Sequence, residues 1–288
     1  MWRKDIKYVL KSPLALLSYL ALFAAWQKGT SFKIQYILET KDQVAHSVSG
    51  INLEAAREYL SAVNGYVIFQ EGLDDAFLPL AIAIVAGLLF SARFLYEKNT
   101  GFGNYILTRR QFKLYFAEKC AFTFGGAFLF VFLSCMTFLL LSLLIFSFQA
   151  PTRLFWTSNY QFVLMDFFEK QPFLFSVLTS LHLGLFAGLF SLFGMGMSLF
   201  TSNRFLVSLS PTALFLFCVL FPQMFPVGTR GVRWIFLPNL IFFFGEGGVV
   251  EDVSPPLLRY GILLILFSAI ALIPVMLLYV KNKKSYLK

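Results

Sequence analysis

The sequence predicts an all-α integral membrane protein of six transmembrane helices with both termini on the cytoplasmic side. Three observations lead there. The 288 residues are 58% apolar and only 14% charged, with a mean hydropathy of +0.72, whereas a soluble domain carries about a quarter charged residues. The apolar excess is gathered into long charge-free runs of the kind a bilayer span needs. The basic residues fall at alternate ends of those runs, as the positive-inside rule requires.

Four spans are long enough to stand alone, since a spanning helix needs about 20 apolar residues. They come from the uncharged stretches Cys120–Thr152 and Gln171–Asn203 (33 residues each), Phe205–Thr229 (25) and Tyr260–Val280 (21). The helices are expected at about 120–148, 172–200, 205–226 and 260–280. Two shorter runs, Ser12–Trp26 (15 residues) and Ala76–Ala92 (17), complete the six. Flanking cations can lengthen both by snorkelling, and Pro13 is well placed in a first helical turn.

Charge sets the orientation. With both termini inside, the cytoplasmic side holds 15 of the basic residues and three acidic ones, Asp5, Glu97 and Glu118; nine basic and 12 acidic residues remain outside. Those cations flank spans instead of forming one patch, so the pI of 9.5 does not predict nucleic-acid binding. A multi-pass protein of a bacterial plasma membrane is expected.

Outside the spans, Trp2–Lys11 mixes basic and apolar residues as an interfacial helix does. Residues 27–75 form the large outer loop, with an amphipathic stretch at Asn52–Val63. Trp234–Gly245 is apolar but only 12 residues long, which suits a re-entrant or interfacial element before the last span. The cytoplasmic loop 93–119 passes a turn at Asn99–Gly103 and resumes as a helix in which Phe112, Tyr115, Phe116 and Lys119 share one face.

Much chemistry is absent from the sequence. No glycine-rich nucleotide loop, zinc-ligating His-Glu-x-x-His or nucleophile elbow occurs, and none of the six spans contains an acidic residue. Cys120, Cys135 and Cys218 lie in apolar runs as small packing residues, and no metal site is expected. His182 is the one ionisable residue at membrane depth, where a hydrogen-bonding packing role is the usual one. Gly184, Gly188, Gly194 and Gly196 would let a second helix approach closely, from the same chain or from another copy; Gly125 and Gly126 do the same one span earlier.

The loop after the second span reads Glu97…Gly101…Ile106-Leu107…Arg109-Arg110…Tyr115…Lys119. With the six-span topology, the basic N-terminal stretch and the large first outer loop, it resembles the permease subunits of type-2 ATP-binding-cassette exporters. In that family a loop of this pattern couples the spans to a separate ATPase. The resemblance implies that this chain is not itself an enzyme and holds no cofactor, ATP and Mg belonging to the partner ATPase. It implies docking through Glu97, Gly101, Arg109, Arg110, Phe112, Tyr115 and Lys119, and a second permease chain, identical or homologous, completing the substrate path. An apolar or amphipathic cargo would suit a path without charges. Two other functions fit the composition: a non-transporting partner that sequesters a peptide through its outer loop, and a lipid-modifying enzyme built around Asp166, Glu169 and Lys170.

Overall fold

A computed structural model describes residues 9, 11–47, 64–74, 77–100, 111–146, 148, 165–220 and 256–286. Its regular elements are helices: α1 (Pro13–Ser47), α2 (Gly65–Asp74), α3 (Phe77–Ala86), a π-helical turn (Gly87–Ser91), α4 (Arg93–Asn99), α5 (Phe112–Ile145), α6 (Met165–Lys170), α7 (Pro172–Met197), α8 (Arg204–Leu220) and α9 (Pro256–Tyr286). Among the described residues four helical stretches are long and apolar enough to cross a membrane: Phe77–Asn99, Phe112–Ile145, Pro172–Met197 and Leu264–Lys283. The interfacial stretch before Val9, Asn52–Val63 and Trp234–Gly245 lie outside the described residues.

Local chemistry marks several helix starts. The Ser12 hydroxyl accepts from the amide of Leu14 (3.2 Å) with Pro13 in the first turn, and Asn64 and Asn203 cap α2 and α8 in the same way (2.8 and 2.9 Å). Pro172 opens α7. Inside α8, Pro211 denies the Val207 carbonyl its usual amide donor, and the Ser210 hydroxyl bonds to that oxygen instead at 2.8 Å.

Two helices run past the boundaries that the sequence predicts for spans. The first helix does not end near Trp26: α1 runs 35 residues, to Ser47, about 52 Å at 1.5 Å per residue against a hydrocarbon core of about 30 Å. Segment 27–75, expected as the outer loop, therefore begins as a continuation of the helix. Its far end is α2, whose residues 64–70 are all buried; it packs on α1, α5 and α7, with Gly65 against the backbone of Ser142 and Leu143 and Gly72 against Trp26. The loop 93–119 is likewise shorter than expected. Residues 93–99 extend the second span as α4, and 112–119 are the opening turns of α5, which leaves 100–111 as the connection.

α7 is the central helix. It packs most extensively on α5 and α9 and also meets α3, the π turn and α8. Its glycines set those approaches: a Cβ on Gly184 would lie 2.9 Å from the Phe128 carbonyl oxygen, on Gly188 2.6 Å from the Phe124 ring, and on Gly196 2.6 Å from Pro274. Gly194 faces Ser91 and Pro211. All four are thus covered by helices of their own chain. On α5, Gly126 faces Phe90, whereas Gly125 has open space beside it.

Apolar side chains fill the bundle. Trp26 stacks on Phe138 (5.2 Å between ring centres), and Phe267 of α9 packs against Phe186 and Phe190 of α7 at 5.0 and 5.3 Å. Large apolar residues also cover the outside of α1, α5 and α9, among them Leu16, Leu133, Leu144, Ile265 and Met276. Such outward faces suit hydrocarbon, not water.

Candidate functional site

Three of the functional residues expected between 97 and 119, Glu97, Tyr115 and Lys119, meet where α4 and α5 pack together beside α7 and α9. α4 carries Glu97 toward α5, on which Tyr115 and Lys119 stand one turn apart on the same face. The Lys119 ammonium lies 2.6 Å from Glu97 Oε1, the Tyr115 hydroxyl donates to Glu97 Oε2 at 2.9 Å, and Arg93 Nε sits 3.5 Å from Oε1. Glu97 and Lys119 are each only 1% exposed. Tyr115 also belongs to an apolar cluster with Phe94, Phe116, Leu192 and Met195 of α7, and Val275 and Leu278 of α9.

A buried carboxylate survives only where its lone pairs are met. Here both oxygens are met, by two cations and a phenol, and the bonds to an ionised acceptor are of the strong class. Since α4 and α5 flank segment 100–111, this contact fastens the two ends of the connection to each other. α9 is tied in as well. Tyr279 stacks on Phe112 (5.5 Å) and leans on Phe116 (5.3 Å), Lys98 Nζ donates to Asn282 Oδ1 (3.2 Å), and Lys281 Nζ donates to the Leu199 carbonyl (3.3 Å). A further contact, from Asn99 Nδ2 to the Ser202 carbonyl (3.4 Å), reaches the turn between α7 and α8.

Of the seven residues expected to dock a partner, Glu97, Tyr115 and Lys119 come together, but against one another beneath the surface; their direct reach is inward. Phe112 is half-buried against α9. Gly101, Arg109 and Arg110 lie outside the described residues.

Nothing in the residue pattern announced the π turn. Its wide coil leaves the Ser91 hydroxyl within reach of the Ala86 carbonyl (3.3 Å) and of the Ser191 carbonyl on α7 (3.1 Å). The Ser191 hydroxyl in turn donates to the Thr123 carbonyl of α5 (2.8 Å). Gly87 lies against α8 so closely that a Cβ there would fall onto the Ser208 carbonyl oxygen. This crossing of four helices precedes the Glu97 cluster along the helical stretch Phe77–Asn99. π turns of this sort recur at functional positions in helices.

His182 is buried in α7 with its ring 4.8 Å from that of Phe186. The three cysteines are free thiols, Cys135 and Cys218 buried and Cys120 half-buried. Among the described residues no group of His, Cys, Asp or Glu is arranged to hold a metal ion. Asp166, Glu169 and Lys170 lie on the short helix α6. No protein-family model matches the chain, and neither a curated protein nor a solved structure does.

Proposed function

We propose that this chain is the permease subunit of an ATP-driven exporter of the type-2 ATP-binding-cassette class. In this reading it crosses a bacterial plasma membrane six times with both ends in the cytoplasm, pairs with a second permease chain, and engages a separate ATPase through segment 93–119.

The observation that carries the reading is the Glu97–Lys119–Tyr115 contact. A coupling element must move its spans when it is pushed. A loop whose two ends were independent would absorb the push by bending. Here the buried ion pair joins both ends, and the aromatic contacts of Phe112 and Phe116 with Tyr279 extend the tie to the last helix. Force on segment 100–111 would therefore enter α4, α5 and α9 together, as a rigid-body displacement needs. Glu97, Tyr115 and Lys119 act in this scheme as positioning residues, and Arg109, Arg110 and Phe112 are the ones to meet the ATPase.

Co-purification from the native host through a C-terminal tag tests the proposal. The expected result is a stoichiometric ATPase lost from the R109A/R110A/F112A variant, while the variant itself remains monodisperse. A chain that purifies alone in several mild detergents, or a triple variant that keeps both its ATPase and its transport, would refute it.

A further inference from the structure

Three cations gather near the turn Ser198–Asn203 that joins α7 to α8. Lys281 of α9 reaches the turn directly, donating to the Leu199 carbonyl, while Lys98 of α4 ends on Asn282, the residue after Lys281, and its neighbour Asn99 donates to the Ser202 carbonyl within the turn. Arg204 follows the turn directly, its guanidinium 4.4 Å from the centre of the Tyr96 ring of α4. Among the described residues none of these three cations forms an ion pair. Glu97, the nearby carboxylate, is already taken by Lys119 and Arg93.

Such an arrangement is unfavourable by itself. Three positive charges held about one turn repel one another. Arg204 is also the first residue of α8, where the helix dipole disfavours a cation. Its planar group is nonetheless kept in place by the ring of Tyr96, a contact of the cation–π type. Hydrogen bonds to neutral oxygens hold the two lysines without cancelling their charge. An anion at the turn would cancel it.

The surroundings select the kind of anion. Phe200, within the turn, is 67% exposed, and Phe205, directly after Arg204, is 64% exposed. Leu206 follows, also exposed, and Val280 is exposed beside Lys281. All lie at the ends of helices long and apolar enough to cross a membrane, or next to them. A soluble phosphate would have no use for this apolar flank. A phospholipid has both parts, a phosphate for the cations and acyl chains for the rings, and basic recesses between transmembrane helices bind acidic headgroups in this manner.

We propose that Lys98, Lys281 and Arg204 form a binding site for the headgroup of one anionic phospholipid at the α7–α8 turn, with Phe200, Phe205 and Leu206 against its acyl chains. The site does not depend on the exporter reading, since no ATPase residue takes part in it. Bound there, the lipid would bridge α4, α8 and α9 at the end of the bundle that carries segment 100–111.

Native mass spectrometry of the full chain in detergent, titrated with phosphatidylglycerol or phosphatidylcholine, tests the assignment. The wild type is expected to retain one phosphatidylglycerol at concentrations where phosphatidylcholine does not bind. At about 1 kcal/mol per basic residue, K98Q/K281Q/R204Q should weaken that binding on the order of a hundredfold, and Arg204→Gln alone, on an exposed side chain, about fivefold. Lys113→Gln, which removes a charge from the start of α5, should leave it unchanged. Equal retention of phosphatidylcholine, undiminished binding in both the triple and the single variant, or displacement of the lipid by millimolar inorganic phosphate would overturn it.

Discussion

Two parts of the membrane-length helical stretch Phe77–Asn99 are held by opposite means. At its C-terminal end, α4 is fastened by charge: Glu97 to Lys119, Tyr115 and Arg93, all buried or nearly so. A few turns earlier in the chain, the π turn is held without charge, by close approach at glycines, with Gly87 against the backbone of α8 and Gly194 against Ser91 and Pro211, and by the Ser91 hydroxyl on the Ser191 carbonyl. The contrast bears on how each junction fails. An ion pair is specific about its partner and severe when half of it is lost, because the remaining charge stays buried. A glycine contact is indifferent to chemistry but intolerant of volume.

The largest break should come from orphaning a charge. Lys119→Met leaves Glu97 buried with reduced compensation and should destabilise the protein by about 3–5 kcal/mol. Adding Glu97→Leu should recover most of this, since an apolar pair in an apolar shell is often neutral. Thermal unfolding in detergent followed by tryptophan fluorescence would check both, and a double variant no better than the single one would contradict the account.

Volume comes next. Gly87→Ala places a methyl group on the Ser208 carbonyl and should cost about 1–3 kcal/mol, again as a lower unfolding midpoint. An unchanged midpoint would mean that the π turn and α8 can separate freely. Tyr115→Phe keeps the ring and removes one bond to a carboxylate, for a loss of about 1.5 kcal/mol; it should sit closer to wild type than Lys119→Met in the same assay. Smallest, and opposite in sign, is Gly125→Ala. That glycine has no neighbour within 4 Å, so a methyl group should stabilise α5 by about 0.5–1 kcal/mol through helix propensity alone. A lower midpoint would show that the site is covered after all.

How much of this could be read beforehand depended on distance along the chain. The helical class and the apolar cores at 120–148, 172–200 and 260–280 followed from runs without charge, and the observed helices contain nearly all of those residues. The four glycines of α7 announced close packing through their spacing. Lys28, Lys33, Glu39, Lys41 and Asp42 concealed the second half of α1, because charges end a bilayer span but do not end a helix. The Glu97–Lys119 pair was hidden for another reason. Both residues were visible as loop residues, but flanking charges are ordinarily read as snorkelling toward water, and nothing local joins positions 22 apart. A signal did exist: Tyr115 and Lys119 share a helical face, and Glu97 is the sole carboxylate between Asp75 and Glu118. The π turn left no such trace, since it depends on contacts with α7 and α8.

That wide turn has a bearing on inheritance. A π turn accommodates one residue more than an α-helix would over the same rise. The helix below it is therefore aimed as though the chain were one residue shorter. Tightening the turn with every residue kept would swing Glu97 through about 100° and away from Lys119. Deleting one residue at the same time would return it to its place. Residues 87–91 are thus the part of this helix where a single-codon deletion can be absorbed without losing the pairing below. The same deletion between Arg93 and Glu97 would misdirect the carboxylate.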